Sequence, residues 1–137
     1  MTDEEFAEHL VGCSDDQVDS LRALRRLIST NTQGLDEGVN DGRWRNGYVF
    51  YSADGQMIYA IGPKGKTKTT LHMMPYYGSP SLQELHGDAL SSFLTGKSCI
   101  AFRKYSELPL GAVTDIICRG TPVMVAMIED HARGKQA

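Results

Sequence analysis

Apolar residues run at helical spacing in the first third of the chain, at alternate positions through the middle, and at helical spacing again towards the end. Val18, Leu21, Leu24 and Ile28 share one stripe. Ser14 and Gln17 stand just before it as an S-x-x-Q capping box, and Asn31-Thr32-Gln33-Gly34 ends it. Thr2 and Glu5 repeat the device earlier, opening a short helix that Gly12 stops.

The alternating section predicts strands over 48–51, 57–61 and 67–74. Asp54-Gly55 marks the first turn, and the stretch GPKGK (62–66) the second. Residues 81–93 read as a short helix or a loop with one helical turn. A fourth strand follows over 97–103, with Ser98, Ile100 and Phe102 on one face. Leu110, Val113 and Ile117 are again in helical register. Gly120-Thr121-Pro122 predicts a break, with Thr121 capping a last helix over about 122–133 and the stretch 132–137 frayed. Helices, then antiparallel strands, then helices indicate an α+β fold. The expectation is one domain over 1–137: an antiparallel sheet of four or five strands, with N- and C-terminal helices packed on one face and the other face partly exposed.

Composition narrows the function classes. The chain has 137 residues, 41% hydrophobic and 23% charged, which is ordinary globular usage. The net charge is −3 and the basic residues are scattered, which argues against nucleic acid as a partner. No apolar run reaches the ~18 residues that span a bilayer. The acidic opening MTDEEFAEHL lacks the basic and apolar regions of a signal peptide. Three widely spaced cysteines, Cys13, Cys99 and Cys118, fit buried thiols in a reduced compartment. A cytoplasmic location without membrane association is expected.

Several phrases together resemble one family. They are the helix LRALRRLI, the single tryptophan Trp44, the aromatic strand YVFY and the Asp54-Gly55 turn. A strand ending in YAI, the lysine-rich turn, TTLHM and GKSCIAFR complete the set. The order is similar to that of the YdhG-like family of small domains of unknown function, over about residues 15–119. Arg45-Asn46-Gly47 stands where that family usually has a proline, and the helix over 122–133 is an addition. The resemblance implies a frataxin-like fold, and some family members are described as intracellular iron chaperones.

Candidate chemistry is sparse. Asp15, Asp16 and Asp19 lie in the first two turns of the long helix, where carboxylates also offset the helix dipole. Clustered carboxylates suit weakly bound Fe(II), and the resemblance makes them the expected iron ligands. Arg43, Trp44, Arg45 and Tyr48 form a second candidate, a surface for a partner or an anionic ligand, since Trp, Tyr and Arg dominate binding hot spots. The bland alternative has the Trp44 ring under a helix where the chain enters the sheet. His72 falls on the sheet face opposite Leu71, where it could act as a ligand or acid–base group. His9 and Cys13 do not make a metal site by themselves, and 62–67 fails the phosphate-loop pattern.

Two functions are therefore expected from sequence. One is a non-enzymatic binding domain that handles iron or docks onto a protein or a second copy through the open sheet face. The other is a small-molecule binder or enzyme with a pocket near Trp44, the tyrosine run and His72.

Overall fold

The computed structural model describes residues 1–136. Helix α1 (Asp3–His9) and helix α2 (Asp15–Asn31) each begin with a complete capping box, at Thr2/Glu5 and Ser14/Gln17. Five strands follow: β1 (Asp36–Val39), β2 (Val49–Ala53), β3 (Gln56–Lys64), β4 (Lys68–Met73) and, after helices α3 (Met74–Tyr77) and α4 (Pro80–Leu90), β5 (Cys99–Phe102). A 3-10 turn (Tyr105–Glu107) leads into α5 (Leu110–Gln136). The strands are ordered β1-β2-β3-β4-β5, and every neighbouring pair is antiparallel. The expected α+β architecture is the observed one.

The inner face of the sheet carries the core. Val49, Tyr51, Ile61, Leu71, Met73 and Ile100 project towards Leu24 and Ile28 of α2 and Val113, Ile116 and Ile117 of α5. The register pairs Ile61 with Leu71 and Leu71 with Ile100, so three apolar side chains cross the middle in one row. The outer edge of β5 does not stay bare. Ala101 N–H donates to Phe93 O and Thr95 N–H to Cys99 O, which closes that edge with the chain before the strand.

Three local expectations are corrected. The GPKGK stretch does not turn at once, since Gly62-Pro63-Lys64 continue β3 as far as the Lys64–Lys68 pair. Pro63 is tolerated because β2 has already ended opposite Ile61, leaving β4 as the only neighbour there. Ser98 does not share the face of Ile100 and Phe102, because its hydroxyl turns to the His72 ring, 3.2 Å away.

Gly120-Thr121-Pro122 does not break the helix, and α5 runs unbroken through Pro122. Gly120 lies against Pro75, where an added Cβ would come within 2.4 Å of the proline Cβ. Thr121 Oγ1 donates back to Ile117 O at 2.7 Å and accepts from the Tyr59 hydroxyl at 2.6 Å. Tertiary contacts on both residues outweigh the local stop signal. The fraying expected over 132–137 is not seen as far as Gln136, and Ala137 lies outside the described residues. Unbroken, α5 over Leu110–Gly134 is long and apolar enough to cross a membrane by length and composition, although its first half lies in the core.

Strand β1, for which the sequence shows no alternation, is fastened by charge. Arg25 donates to both oxygens of Glu37, from Nε at 2.9 Å and Nη2 at 3.1 Å, and the Tyr51 hydroxyl donates to the same carboxylate at 2.6 Å. Burial alone would raise the Glu37 carboxyl; the Arg25 and Tyr51 bonds outweigh it and hold the group below its usual range. A carboxylate depressed in the folded state stabilises above its unfolded value, near 4.5, and that stabilisation is lost as pH falls through the folded value. Denaturation midpoints measured from about pH 7 down to about pH 3 should therefore fall on the acid side. Arg25→Met should be less stable at neutral pH and have a shallower acid slope.

Candidate functional site

The outer face of the sheet is lined by small and polar side chains: Ala60, Gly62, Thr70, His72, Cys99 and Ala101. All six are buried. Over Gly62, His72 and Cys99 lies the segment 40–48, which joins β1 to β2 and contains the Trp44 cluster. The strip expected to stay open for a partner is thus closed at its centre by the chain itself.

Asn40 organises this loop. Its side-chain amide donates to the Trp44 and Arg45 carbonyls, and its Oδ1 accepts from Gly42 N–H. Its backbone exchanges bonds at 2.8 Å with Gly47 N–H and Tyr48 O. The turn sends Arg45 into the left-handed region, at φ +53°. For a residue with a side chain that conformation costs ~1–2 kcal/mol. Such strain concentrates where a side chain must be aimed.

The aim is visible. Arg45 Nη2 donates to Cys99 Sγ at 3.5 Å. The guanidinium carbon stands 5.4 Å from both the Trp44 and the Tyr48 ring centroids, within cation–π range. Tyr48 lies over Gly62 and donates to Pro63 O at 3.0 Å. Trp44, 50% exposed, meets His72 edge-on at 5.0 Å and Phe50 at 6.0 Å. It does not sit beneath a helix. The aromatic ring is on the opposite side of the sheet, because the loop folds back over β2 instead of leading straight into it.

Beneath the loop, His72 Nδ1 lies 2.7 Å from Cys99 Sγ and 3.2 Å from Ser98 Oγ, and Nε2 lies 3.2 Å from Met74 Sδ. A thioether can only accept, so Nε2 carries the ring proton and Nδ1 presents its lone pair to the thiol and hydroxyl. Burial, and then the positive charge of Arg45, push the His72 imidazole below its usual range, which keeps it neutral at neutral pH. The arrangement is a thiol beside a proton acceptor, with a cation above.

Two polar atoms here have no hydrogen-bond partner within the protein: Arg45 Nε and Thr70 Oγ1. Thr70 is 1% exposed and lies on the His72 side of β4. Arg45 takes part in none of the ion pairs among the described residues. A half-buried guanidinium with no carboxylate beside it attracts anions more strongly than one in open water.

Of the residues singled out from sequence, the structure thus assembles Trp44, Arg45, Tyr48 and His72. Arg43 is exposed on the loop and adds no contact to the cluster. Asp15, Asp16 and Asp19 are exposed on α2, and no group of three His, Cys, Asp or Glu side chains able to hold a metal occurs among the described residues. His9 donates from Nε2 to Gly47 O at 2.6 Å, tying α1 to the base of the loop. Sequence reasoning missed Cys99 as a functional candidate. The available signal was its alternation with Ile100 and Phe102, which puts it on the same face as His72 once β4 and β5 are neighbours. No family model, no curated protein and no solved structure matches the chain.

Proposed function

We propose that this is a binding protein for a small anionic molecule, which Arg45 holds against the His72–Cys99 pair. The observation that carries the reading is Arg45 itself: a strained backbone aims an unpaired, half-buried guanidinium at a thiol that touches an imidazole. The flanking Trp44 ring, 50% exposed, supplies a flat apolar wall for the body of the ligand. The role is binding; the thiol and imidazole would add proton transfer or covalent capture only for an electrophilic ligand.

Alkylation with matched reagents tests this. Iodoacetate and iodoacetamide both form an S–C bond and release iodide, and at Cys99 the thiol proton passes to His72 Nδ1. They differ in charge. Relative to exposed Cys118 as internal reference, Cys99 should prefer iodoacetate by on the order of fivefold, the worth of one favourable charge contact of about 1 kcal/mol. Arg45→Gln should remove the preference. Equal charge selectivity at Cys99 and Cys118, read by peptide mass spectrometry, would overturn the proposal.

Iron handling rests on the family resemblance and on Asp15, Asp16 and Asp19. It has a separate test: anaerobic titration with ferrous iron, against magnesium, on wild type and the triple Asp→Asn variant. Saturable heat that the variant loses would support it, and no heat above the magnesium control would sink it.

A further inference from the structure

A cleft of about 730 Å³ opens at the end of the sheet, away from the Cys99 thiol. One wall is α1 and the corner after it, through Phe6, Leu10 and Val11. The opposite wall is the start of β2 and the end of β3, with Val49 and Ile61 at the floor. The volume falls within the usual range of small-molecule sites, roughly 300–1,000 Å³.

Polar side chains are mixed with apolar ones along its lining, and its formal charge is of one sign. No aspartate or glutamate lines it, whereas Lys66 does. Lys66 forms no ion pair among the described residues. The Gln17 carboxamide, which also borders the cleft, is already committed. It donates to Gly65 O and Lys68 O and accepts from Ser14 N–H. His9 is likewise engaged with Gly47 O. An occupant therefore meets apolar walls broken by Cys13, Ser14 and Asn46, and one cation, Lys66, at the rim. Val11, which also lines the cleft, is 84% exposed.

We infer that this cleft is a second binding site, for an amphipathic acid with an apolar body and a single carboxylate directed to Lys66. The site also reaches the loop. Asn46, Gly47 and Tyr48 form part of its lining, directly after Arg45 in sequence. Occupation of the cleft thus bears on the segment that aims Arg45, and Trp44, the only tryptophan of the chain, reports it.

Decanoate, below its micellar concentration, and decanol as its neutral counterpart are suitable probes, followed by Trp44 fluorescence and calorimetry. Saturable binding of decanoate, tighter than decanol, is expected. Lys66→Glu should weaken decanoate by on the order of fivefold or more while leaving decanol within about twofold, because only the charge contact is lost. Val11→Glu, at an exposed position that the fold does not need, should weaken both. Arg45→Gln should leave both nearly unchanged, which separates this site from the anion site over Cys99. Absence of saturable binding would overturn the inference. So would decanoate binding that Arg45→Gln abolishes and Val11→Glu leaves intact.

Discussion

Gly62→Ala is expected to destabilise the protein by about 1–3 kcal/mol, the usual cost of forcing one extra carbon into a filled space. The added Cβ would fall 2.4–2.5 Å from three atoms of the Tyr48 ring, and backbone pairing on β3 leaves it no direction of escape. Either the strand shifts or the ring lifts. If the ring lifts, Tyr48 loses its bond to Pro63 O, and Arg45 and Trp44 move with the loop. The loss of stability should therefore come with altered Trp44 fluorescence and faster alkylation of Cys99. Urea denaturation of the variant, of Tyr48→Ala and of the double variant decides the cause. In the Tyr48→Ala background the Gly62→Ala cost should shrink to below about 0.5 kcal/mol, since the clashing partner has gone. An undiminished cost would show that the ring is not what the glycine accommodates.

The second large effect lies at the Tyr59–Thr121 contact. The Tyr59 hydroxyl donates to Thr121 Oγ1, which donates onward to Ile117 O, and both residues are buried. Thr121→Val keeps the shape but leaves the phenol without an acceptor, so a loss of about 1–3 kcal/mol is expected. Tyr59→Phe removes only the first donor and leaves Thr121 bonded to Ile117, so about 1 kcal/mol should be lost. The double variant should be more stable than Thr121→Val alone, because no polar group is then stranded. Chemical denaturation of the three proteins checks the order. If Thr121→Val proves no worse than Tyr59→Phe, the threonine is not the partner that satisfies the phenol.

These two contacts also mark the limits of what the sequence discloses. The stripe Leu21–Leu24–Ile28, the two capping boxes and the Asp54-Gly55 hairpin are local patterns, and each appears where local physics puts it. Asp54 and Gly55 adopt φ +49° and +76°, the geometry a two-residue hairpin turn demands. β1 was illegible because an edge strand fastened by Glu37 needs no apolar alternation. The continuous α5 was illegible because the partners of Gly120 and Thr121, Pro75 and Tyr59, are far away in sequence. The same reason hid half of the site. His72 and Cys99 are 27 residues apart, and only the β4–β5 register places them opposite one another. Trp44, Arg45 and Tyr48 stood out by residue type, but the fold-back of their loop over the outer face was not encoded in any spacing.

The strand order carries a kinetic meaning. Each strand pairs with the one synthesised just before it, so the β1–β4 meander can zip up from the N-terminal end with short loop closures, a topology that favours rapid folding. α2 precedes the sheet and can cover part of its inner side at once. The rest of that side, including Tyr59, waits for α5, which is made only after all five strands. A nascent chain that has emerged as far as β4 therefore presents a formed but half-covered sheet, and the interval before α5 arrives is when the protein is most exposed to aggregation and most in need of a chaperone.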